Sequence, residues 1–200
     1  MRGPEPRIAP GNRAHLGWRN FVATRVLAAA TGGRPANVFT TLGRNRRLFR
    51  RWLRFAAALM PGGSLPRIDS ELVILRVAHN CASDYEWRHH ERLGRLAGLS
   101  AADVERVRQG PDADAWTPRQ RLLLRAADAL HADRDLPDDL WAPLRAELPE
   151  TDIIELCLLV GHYEMLAMTL NALRVQPDPL PSGPPPRAMQ MMQRLSARRR

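Results

Sequence analysis

The sequence has no lysine and only two cysteines, and each shortage excludes a class of protein. All 30 basic residues among the 200 are arginines, and the formal net charge is +9. Cys81 and Cys157 are too few for a disulfide framework or a four-cysteine metal site. The six histidines form no His-Glu-x-x-His or comparable ligand pattern. We therefore expect no metal and no cofactor.

Long apolar stretches are also missing. Residues 1–6 contain no apolar signal region. The longest apolar run, residues 153–173, is interrupted by Glu155, His162 and Glu164, which is typical of a buried helix rather than a membrane span. The sequence therefore predicts a cytoplasmic protein without a membrane partner.

Helical spacing of apolar residues fills the middle of the chain. Apolar side chains recur every three or four residues, and no segment shows the sustained alternation of a strand. Prolines crowd the C-terminal stretch, where a helix cannot continue. We predict a single all-α domain over residues 15–176, a flexible N-terminal tail over 1–14 and a Pro- and Arg-rich C-terminal tail over 177–200.

A short internal repeat suggests how the helices are organised. The segment that begins at Leu65 can be laid over the segment that begins at Leu148. Six residue types then coincide at one constant offset: Leu65 with Leu148, Pro66 with Pro149, Asp69 with Asp152, Leu75 with Leu158, Val77 with Val160 and His79 with His162. The repeat predicts an internally duplicated helical domain, with two copies of one unit about a pseudo-two-fold axis.

Candidate chemistry is concentrated between Glu71 and His90. Glu71 lies near the start of an almost wholly apolar helix, and Ser83, Glu86 and His90 follow at spacings that place them on one face of the next helix. A carboxylate and an imidazole one turn apart tune each other's protonation. With Glu71 supplied by the neighbouring helix, the group would suit proton transfer at a carbon next to a carbonyl.

A structural interpretation of the same residues stays open at this point. Ser83 and Glu86 have the spacing of a capping box, and Glu71 near a helix N-terminus is favoured by the helix dipole alone. Asp69 or Ser70 would cap that helix. His79 and His162, on apolar helices, are typical of core histidines rather than ligands.

The segments 71–78 (Glu-Leu-Val-Ile-Leu-Arg-Val-Ala) and 83–90 (Ser-Asp-Tyr-Glu-Trp-Arg-His-His) resemble the signature of the carboxymuconolactone decarboxylase and alkylhydroperoxidase-D-like family. The resemblance extends, in order, over residues 37–42, 51–56, 97–100, 116–119 and 159–173. It implies an all-α, internally duplicated fold that forms homo-oligomers, whether dimer, trimer or hexamer.

The sequence departs from the redox branch of that family, which carries a Cys-x-x-Cys pair between a glutamate and a histidine. The glutamate matches Glu71 and the histidine matches His90, but Ser83 and Glu86 occupy the cysteine positions. A dithiol peroxidase needs a reactive thiolate and a second thiol to resolve the sulfenic acid, and neither position supplies one.

The decarboxylase branch works without cysteines, so the resemblance implies acid–base chemistry on a small carboxylic acid or lactone. In this hypothesis His90 shuttles the proton, Glu71 is its partner and Glu86 orients or protonates the substrate. Ser83 and the neighbouring side chains of Tyr85, Trp87 and His79 are then predicted to bind the small-molecule substrate.

Two other functions stay open. The first is a thiol-dependent peroxidase that uses Cys81 as a lone reactive thiol. The second is a non-catalytic helical binding protein, in which Arg47, Arg50, Arg51 and Arg54 form a basic stripe for an acidic partner. No nucleic-acid motif accompanies these arginines, and we expect a solvated helix face rather than a nucleic-acid site.

Overall fold

A computed structural model describes residues 5–31 and 34–179, and within these ranges all regular structure is helical. The helices are α1 (Arg13–Thr31), α2 (Asn37–Leu42), α3 (Arg46–Leu59), α4 (Arg67–Asn80), α5 (Asp84–Ala97), α6 (Ala101–Gln109), α7 (Pro118–Ala132), α8 (Asp138–Glu147) and α9 (Glu150–Leu173). The predicted all-α class is confirmed. Most of the predicted C-terminal tail, from residue 180, lies outside the described residues.

Backbone contacts divide the chain into two compact units, the first formed by the described residues of Met1–Ala57 and Leu170–Arg200. In it, the backbone N–H of Arg7 donates to the carbonyl oxygen of Leu173 at 3.0 Å. The amide of buried Asn20 donates to the carbonyl oxygen of Gly43 at 3.2 Å. These bonds hold the N-terminal segment and the end of α9 in one body. The predicted domain boundaries stay a prediction.

The second unit, Ala58–Thr169, is built around α4. Four consecutive residues of α4, Leu72 to Leu75, are fully buried, as its nearly continuous apolar sequence predicts. Part of the core around it is one cluster from α4, α5, α6, α7 and the loops between them: Leu72, Leu75, Ala78, Trp87, Leu99, Val104, Val107, Trp116 and Leu124. Because apolar neighbours cover α4 on all sides, this helix can hold a buried polar side chain in a fixed position.

Two of the helix starts carry the caps that their sequences favour. Ser100 and Asp103 form a capping box at α6, and Thr117 and Gln120 form another at α7. Pro118 occupies the first turn of α7, as predicted.

The start of α4 differs from its prediction. The helix begins at Arg67 behind Pro66, and no side chain caps it, so neither Asp69 nor Ser70 has the predicted role. The Asp69 carboxylate instead accepts a hydrogen bond from Arg119 Nε at 2.8 Å. A strong cationic donor on α7 is a better partner for this carboxylate than the free amides of its own helix.

The two halves of the sequence repeat begin alike but have different surroundings. Leu65 and Leu148 are both buried, and each precedes a proline and a long helix. Farther along, Leu75 is fully buried whereas its counterpart Leu158 is 47% exposed. The repeat therefore preserves the helix start more closely than the environment of the helix.

One described helix, α9, is long and apolar enough to cross a membrane by length and composition alone. Its most apolar window has a mean hydropathy of 1.5, and half of that window is buried in the protein. The core helix of a soluble protein meets the same criteria. The exposed apolar side chains on α9 are Ile154, Leu158, Met165 and Met168.

We expect a clear stability difference between two leucines of the second unit. Leu124→Ala empties a fully buried position in the core cluster and should lower the free energy of unfolding by about 2–5 kcal/mol. Leu158→Ala, at a half-exposed position, should cost roughly 1 kcal/mol or less. Urea unfolding followed by circular dichroism measures both, and equal losses would contradict the described core.

Candidate active site

A buried ion pair links α4 to α5. The Glu71 side chain is fully buried, and its Oε2 lies 2.7 Å from Nδ1 of His90. Its Oε1 lies 2.5 Å from Nη2 of Arg67, one turn earlier on the same helix. The structure thus brings together Glu71 and His90, which the sequence could place together only through the family resemblance. Arg67 was missed, although its spacing of four residues from Glu71 is a signal for an ion pair.

A tight turn and a glycine bring the two helices close enough for this contact. After α4, Ala82 adopts a left-handed φ of 48°, and the Ser83 backbone N–H donates to the Ala78 carbonyl at 2.8 Å. On α5, a Cβ at Gly94 would lie 2.9 Å from Leu99 Cδ1 and 3.7 Å from Glu71 Cβ. Gly94 follows His90 by one turn, so the small residue lets α5 approach α4 beside the pair.

The pair determines which nitrogen of His90 is available for chemistry. Because the ion pair with Arg67 favours an ionised Glu71, the carboxylate accepts and His90 Nδ1 donates. A histidine whose Nδ1–H is held by a carboxylate presents Nε2 as the atom that exchanges protons. His90 is 6% exposed, so this exchange takes place in a nearly closed environment.

Glu86 is a second buried carboxyl group on the same face of α5 as His90. It is 2% exposed, and neither of its oxygens has a hydrogen-bond partner among the described residues. Burial raises the pKa of Glu86 to about 8, and the nearby Ser83 hydroxyl opposes that shift. Glu86 therefore carries a proton at neutral pH, and it is a potential donor beside a potential base.

Helix α9 contributes two residues that were not predicted as site residues. The Tyr163 ring meets the His90 ring edge-on, with centroids 5.0 Å apart, and the His162 ring lies 5.2 Å from that of Tyr163. Burial, then the Glu71 charge, raises the pKa of the Tyr163 hydroxyl, which stays neutral. Burial, then the charge of His90, lowers the pKa of His162 to about 4. The similarity of residues 159–173 to the family was the available signal for both.

The capping interpretation of Ser83 and Glu86 is wrong. Ser83 occupies the N-cap position of α5, but its side chain makes no capping hydrogen bond. The Ser83 hydroxyl is instead buried without a hydrogen-bond partner in the described structure. Glu71 likewise lies beyond the first turn of α4, where Asp69 is the acidic residue. The helix start therefore does not explain Glu71, whereas Glu86 lies in the first turn of α5 without making a capping hydrogen bond.

The predicted substrate-binding aromatics have well-defined neighbours. Tyr85 is buried and stacks on His89 with ring centroids 6.3 Å apart. Trp87 belongs to the core cluster, meets the His79 ring at 6.1 Å and is covered by the Arg108 guanidinium at 3.8 Å. Burial, then the charge of Arg76, lowers the pKa of His79. The substrate-binding role of these residues stays a prediction.

Cys81 has an environment that disfavours the thiolate. Burial, followed by the charges of Glu164 and Glu86, raises the pKa of Cys81 to about 11. A nucleophilic cysteine needs the opposite setting, in which nearby cations or a helix N-terminus lower the thiol pKa.

The pKa of Glu86 predicts a pH dependence of stability. The folded state holds its proton up to about pH 8, whereas the unfolded chain releases it near the ordinary pKa of 4.5, so stability falls as pH rises between these values. Glu86→Gln removes this dependence. Relative to the parent, the variant should gain up to roughly 5 kcal/mol between pH 4.5 and 8.5, measured by urea unfolding. A pH-independent difference would show that Glu86 ionises normally.

Comparisons with known proteins give a matching family segment and a similar fold. Residues 46–129 match the carboxymuconolactone decarboxylase family. No curated protein matches the chain.

Three solved structures have a similar fold. The alkylhydroperoxidase AhpD core of a peroxidase-related protein from Ralstonia eutropha JMP134 superimposes with a TM-score of 0.78 at 20% identity, over 88% of this chain and 94% of that one. A peroxidase-related protein from Silicibacter sp. TM1040 gives 0.77 at 17% identity, over 89% and 95%.

The third is a cysteine-to-alanine variant of the debrominase Bmp8 in complex with 2,3,4-tribromopyrrole. It gives a TM-score of 0.73 at 16% identity, over 93% of this chain and 96% of that one. At these identities the likeness shows the fold alone. Residues 46–129 thus match the carboxymuconolactone decarboxylase family, and the all-α fold is similar to that of the alkylhydroperoxidase AhpD core.

Proposed function

We propose that this protein is an acid–base enzyme that acts on a small carboxylic acid or lactone and needs no thiol. The observation that carries the proposal is the fully buried Glu71 carboxylate, 2.7 Å from His90 Nδ1. A neutral, unpartnered Glu86 lies one turn from His90 on the same helix. A potential base and a potential acid in one protected place are what general acid–base catalysis requires.

The residues divide the proton transfer between them. His90 Nε2 removes a proton from the carbon next to the substrate carbonyl, and the Glu71 carboxylate stabilises the imidazolium that results. The Glu86 carboxyl group donates its proton to the carbonyl oxygen, so the electron pair of the broken C–H bond comes to rest in an enol. Return of a proton from His90 to another carbon, with the enol hydroxyl giving its proton back to Glu86, completes a proton shift.

The same groups serve a decarboxylation. The C–C bond to a substrate carboxylate breaks, CO₂ leaves, and the electron pair flows into the conjugated carbonyl, whose oxygen takes the proton of Glu86. His90 Nε2 takes a proton from solvent and gives it to the carbon, while the enol hydroxyl returns its proton to Glu86, so the reaction consumes one solvent proton and releases CO₂. Decarboxylation and proton shift share the enol-like intermediate, so the site is suited to either lyase or isomerase chemistry.

A neutral Glu86 is compatible with a carboxylate-bearing substrate. At neutral pH the only ionised carboxylate of the three-residue site is Glu71, and Arg67 already pairs with it. A neutral Glu86 adds no repulsion against an incoming anion, whereas an ionised one would. The complex of the structurally similar debrominase with a substituted pyrrole supports a small-molecule ligand for this fold.

The thiol peroxidase is the weaker alternative. Ser83 and Glu86 stand at the positions of the dithiol, and the pKa of Cys81 is raised to about 11, so the thiolate needed for attack on a peroxide is scarce. The homo-oligomer, the absence of nucleic-acid and membrane partners, and the cytoplasmic location stay predictions from the sequence.

The central role of His90 is tested by proton exchange and CO₂ release. Carboxymuconolactone and a panel of unsaturated acids and lactones are incubated in D₂O and followed by NMR. With a substrate found in this way, His90→Ala should lower kcat by about 10²–10⁴-fold because the proton acceptor is gone, with an unchanged circular dichroism spectrum. Exposed His15→Ala is the control. Full turnover by His90→Ala would overturn the assignment.

Hydroperoxide consumption tests the thiol alternative. We expect no thiol-dependent activity from the parent protein, since the raised pKa keeps Cys81 protonated at neutral pH. Any slow consumption should be the same in Cys81→Ser and in the matched variant Cys157→Ser. Activity that disappears only in Cys81→Ser would establish the peroxidase instead.

A further inference from the structure

A second cluster of chemically active side chains shares no residue with the proposed acid–base site. It comprises Cys81 at the C-terminal end of α4, His131 in the last turn of α7 and Glu164 on α9. One ligand atom from each of these residues lies within 4.8 Å of the other two. All three residues are half-buried, so a small ion could reach them from solvent.

The geometry argues against a nucleophilic triad. Cys81 Sγ lies 3.9 Å from His131 Nδ1, and Glu164 Oε1 lies 2.6 Å from the same nitrogen. In a cysteine–histidine–carboxylate triad the thiol and the carboxylate use opposite ring nitrogens. Here the sulfur, nitrogen and oxygen converge on one point, which is the arrangement of a chelate.

We propose that Cys81, His131 and Glu164 bind a divalent cation of the zinc class, with solvent as the fourth ligand. Tetrahedral zinc, with bonds of about 2.3 Å to sulfur and 2.0–2.2 Å to nitrogen and oxygen, separates its ligand atoms by roughly 3.3–3.6 Å. The observed separations of 3.9 and 2.6 Å fall on either side of that range. To admit the ion, the Nδ1–Oε1 separation must widen by roughly 0.7 Å and the Sγ–Nδ1 separation must shrink by roughly 0.3 Å.

The ligand set selects the ion. Thiolate and imidazole favour zinc and similar borderline-soft cations, whereas Mg²⁺ and Ca²⁺ require sites built of oxygen. Binding displaces the thiol proton, so the two anionic ligands neutralise the charge of the ion.

Arg134 pairs with one oxygen of Glu164 and leaves the other oxygen available to the ion. Its Nη1 lies 2.6 Å from Glu164 Oε2 and also donates to the Leu130 carbonyl at 3.2 Å. Glu164 Oε1 remains directed towards His131. A hydrogen bond to the second oxygen of a ligating carboxylate is the usual outer-shell support of a metal site. The bound ion would cross-link the ends of α4 and α7 to α9, all within the second unit.

The experiment uses untagged full-length protein, freed of metal by a chelator and kept reduced. Calorimetry should give one Zn²⁺ per chain, and titration with Co²⁺ should produce a thiolate-to-metal charge-transfer band. Cys81→Ser and His131→Ala should each weaken Zn²⁺ binding at least about 100-fold and, for Cys81→Ser, abolish the band. Cys157→Ser, at the second cysteine of the sequence, should change neither.

Several results would overturn the site. They are the absence of saturable binding, a Co²⁺ complex without the thiolate band, or binding that survives Cys81→Ser or is lost in Cys157→Ser. If Cys81→Ser fails to fold by circular dichroism, Glu164→Gln takes its place, and unchanged Zn²⁺ affinity in that variant rejects the proposal. The test is independent of the acid–base activity, because none of these residues belongs to the Glu71–His90 pair.

Discussion

The buried Glu71 carboxylate constrains how α4 and α5 pack together. An ionised carboxylate removed from water is costly unless both oxygens are paired, and breaking a buried pair by removing one partner typically costs about 3–5 kcal/mol. Arg67 meets one oxygen from within α4 and His90 meets the other from α5. Helix α4 must therefore stay rigid, α5 must stay close, and Gly94 must leave room between them. The apolar cover of α4 provides that rigidity.

Two carboxyl groups with different partners give the site its chemistry. Glu71 has two partners, one of them a cation, and serves as a fixed anion, whereas Glu86 is equally buried, lacks such partners and keeps its proton to about pH 8. Nδ1 of His90 donates to Glu71, and its Nε2 is available for proton exchange. In the proposed function, Ser83 and Glu86 at the positions of the family's two cysteines serve acid–base rather than redox chemistry, and the raised pKa of Cys81 disfavours its thiolate.

Much of the fold and part of the site could be predicted from the sequence. Helix periodicity, Thr117 as a cap and the burial of α4 follow from local patterns, and the spacing of Glu86 and His90 places them on one face. Contacts between distant segments do not follow from such patterns. Tyr163 against His90, Arg119 on Asp69 and the convergence of Cys81 with residues of α7 and α9 depend on how the helices pack. The capping prediction for Ser83 failed because spacing reports a face, not the direction of a hydroxyl.

We infer that the Glu71 carboxylate holds the proton of His90 on Nδ1. Nitrogen-15 NMR of the histidine side chains, in the parent and in Glu71→Gln at neutral pH, measures this directly. We expect the parent to have a protonated Nδ1, with its proton shifted far downfield by the carboxylate. In the variant, this Nδ1 proton signal should be lost. A parent His90 with its proton on Nε2 alone, or a tautomer unchanged by Glu71→Gln, would contradict it.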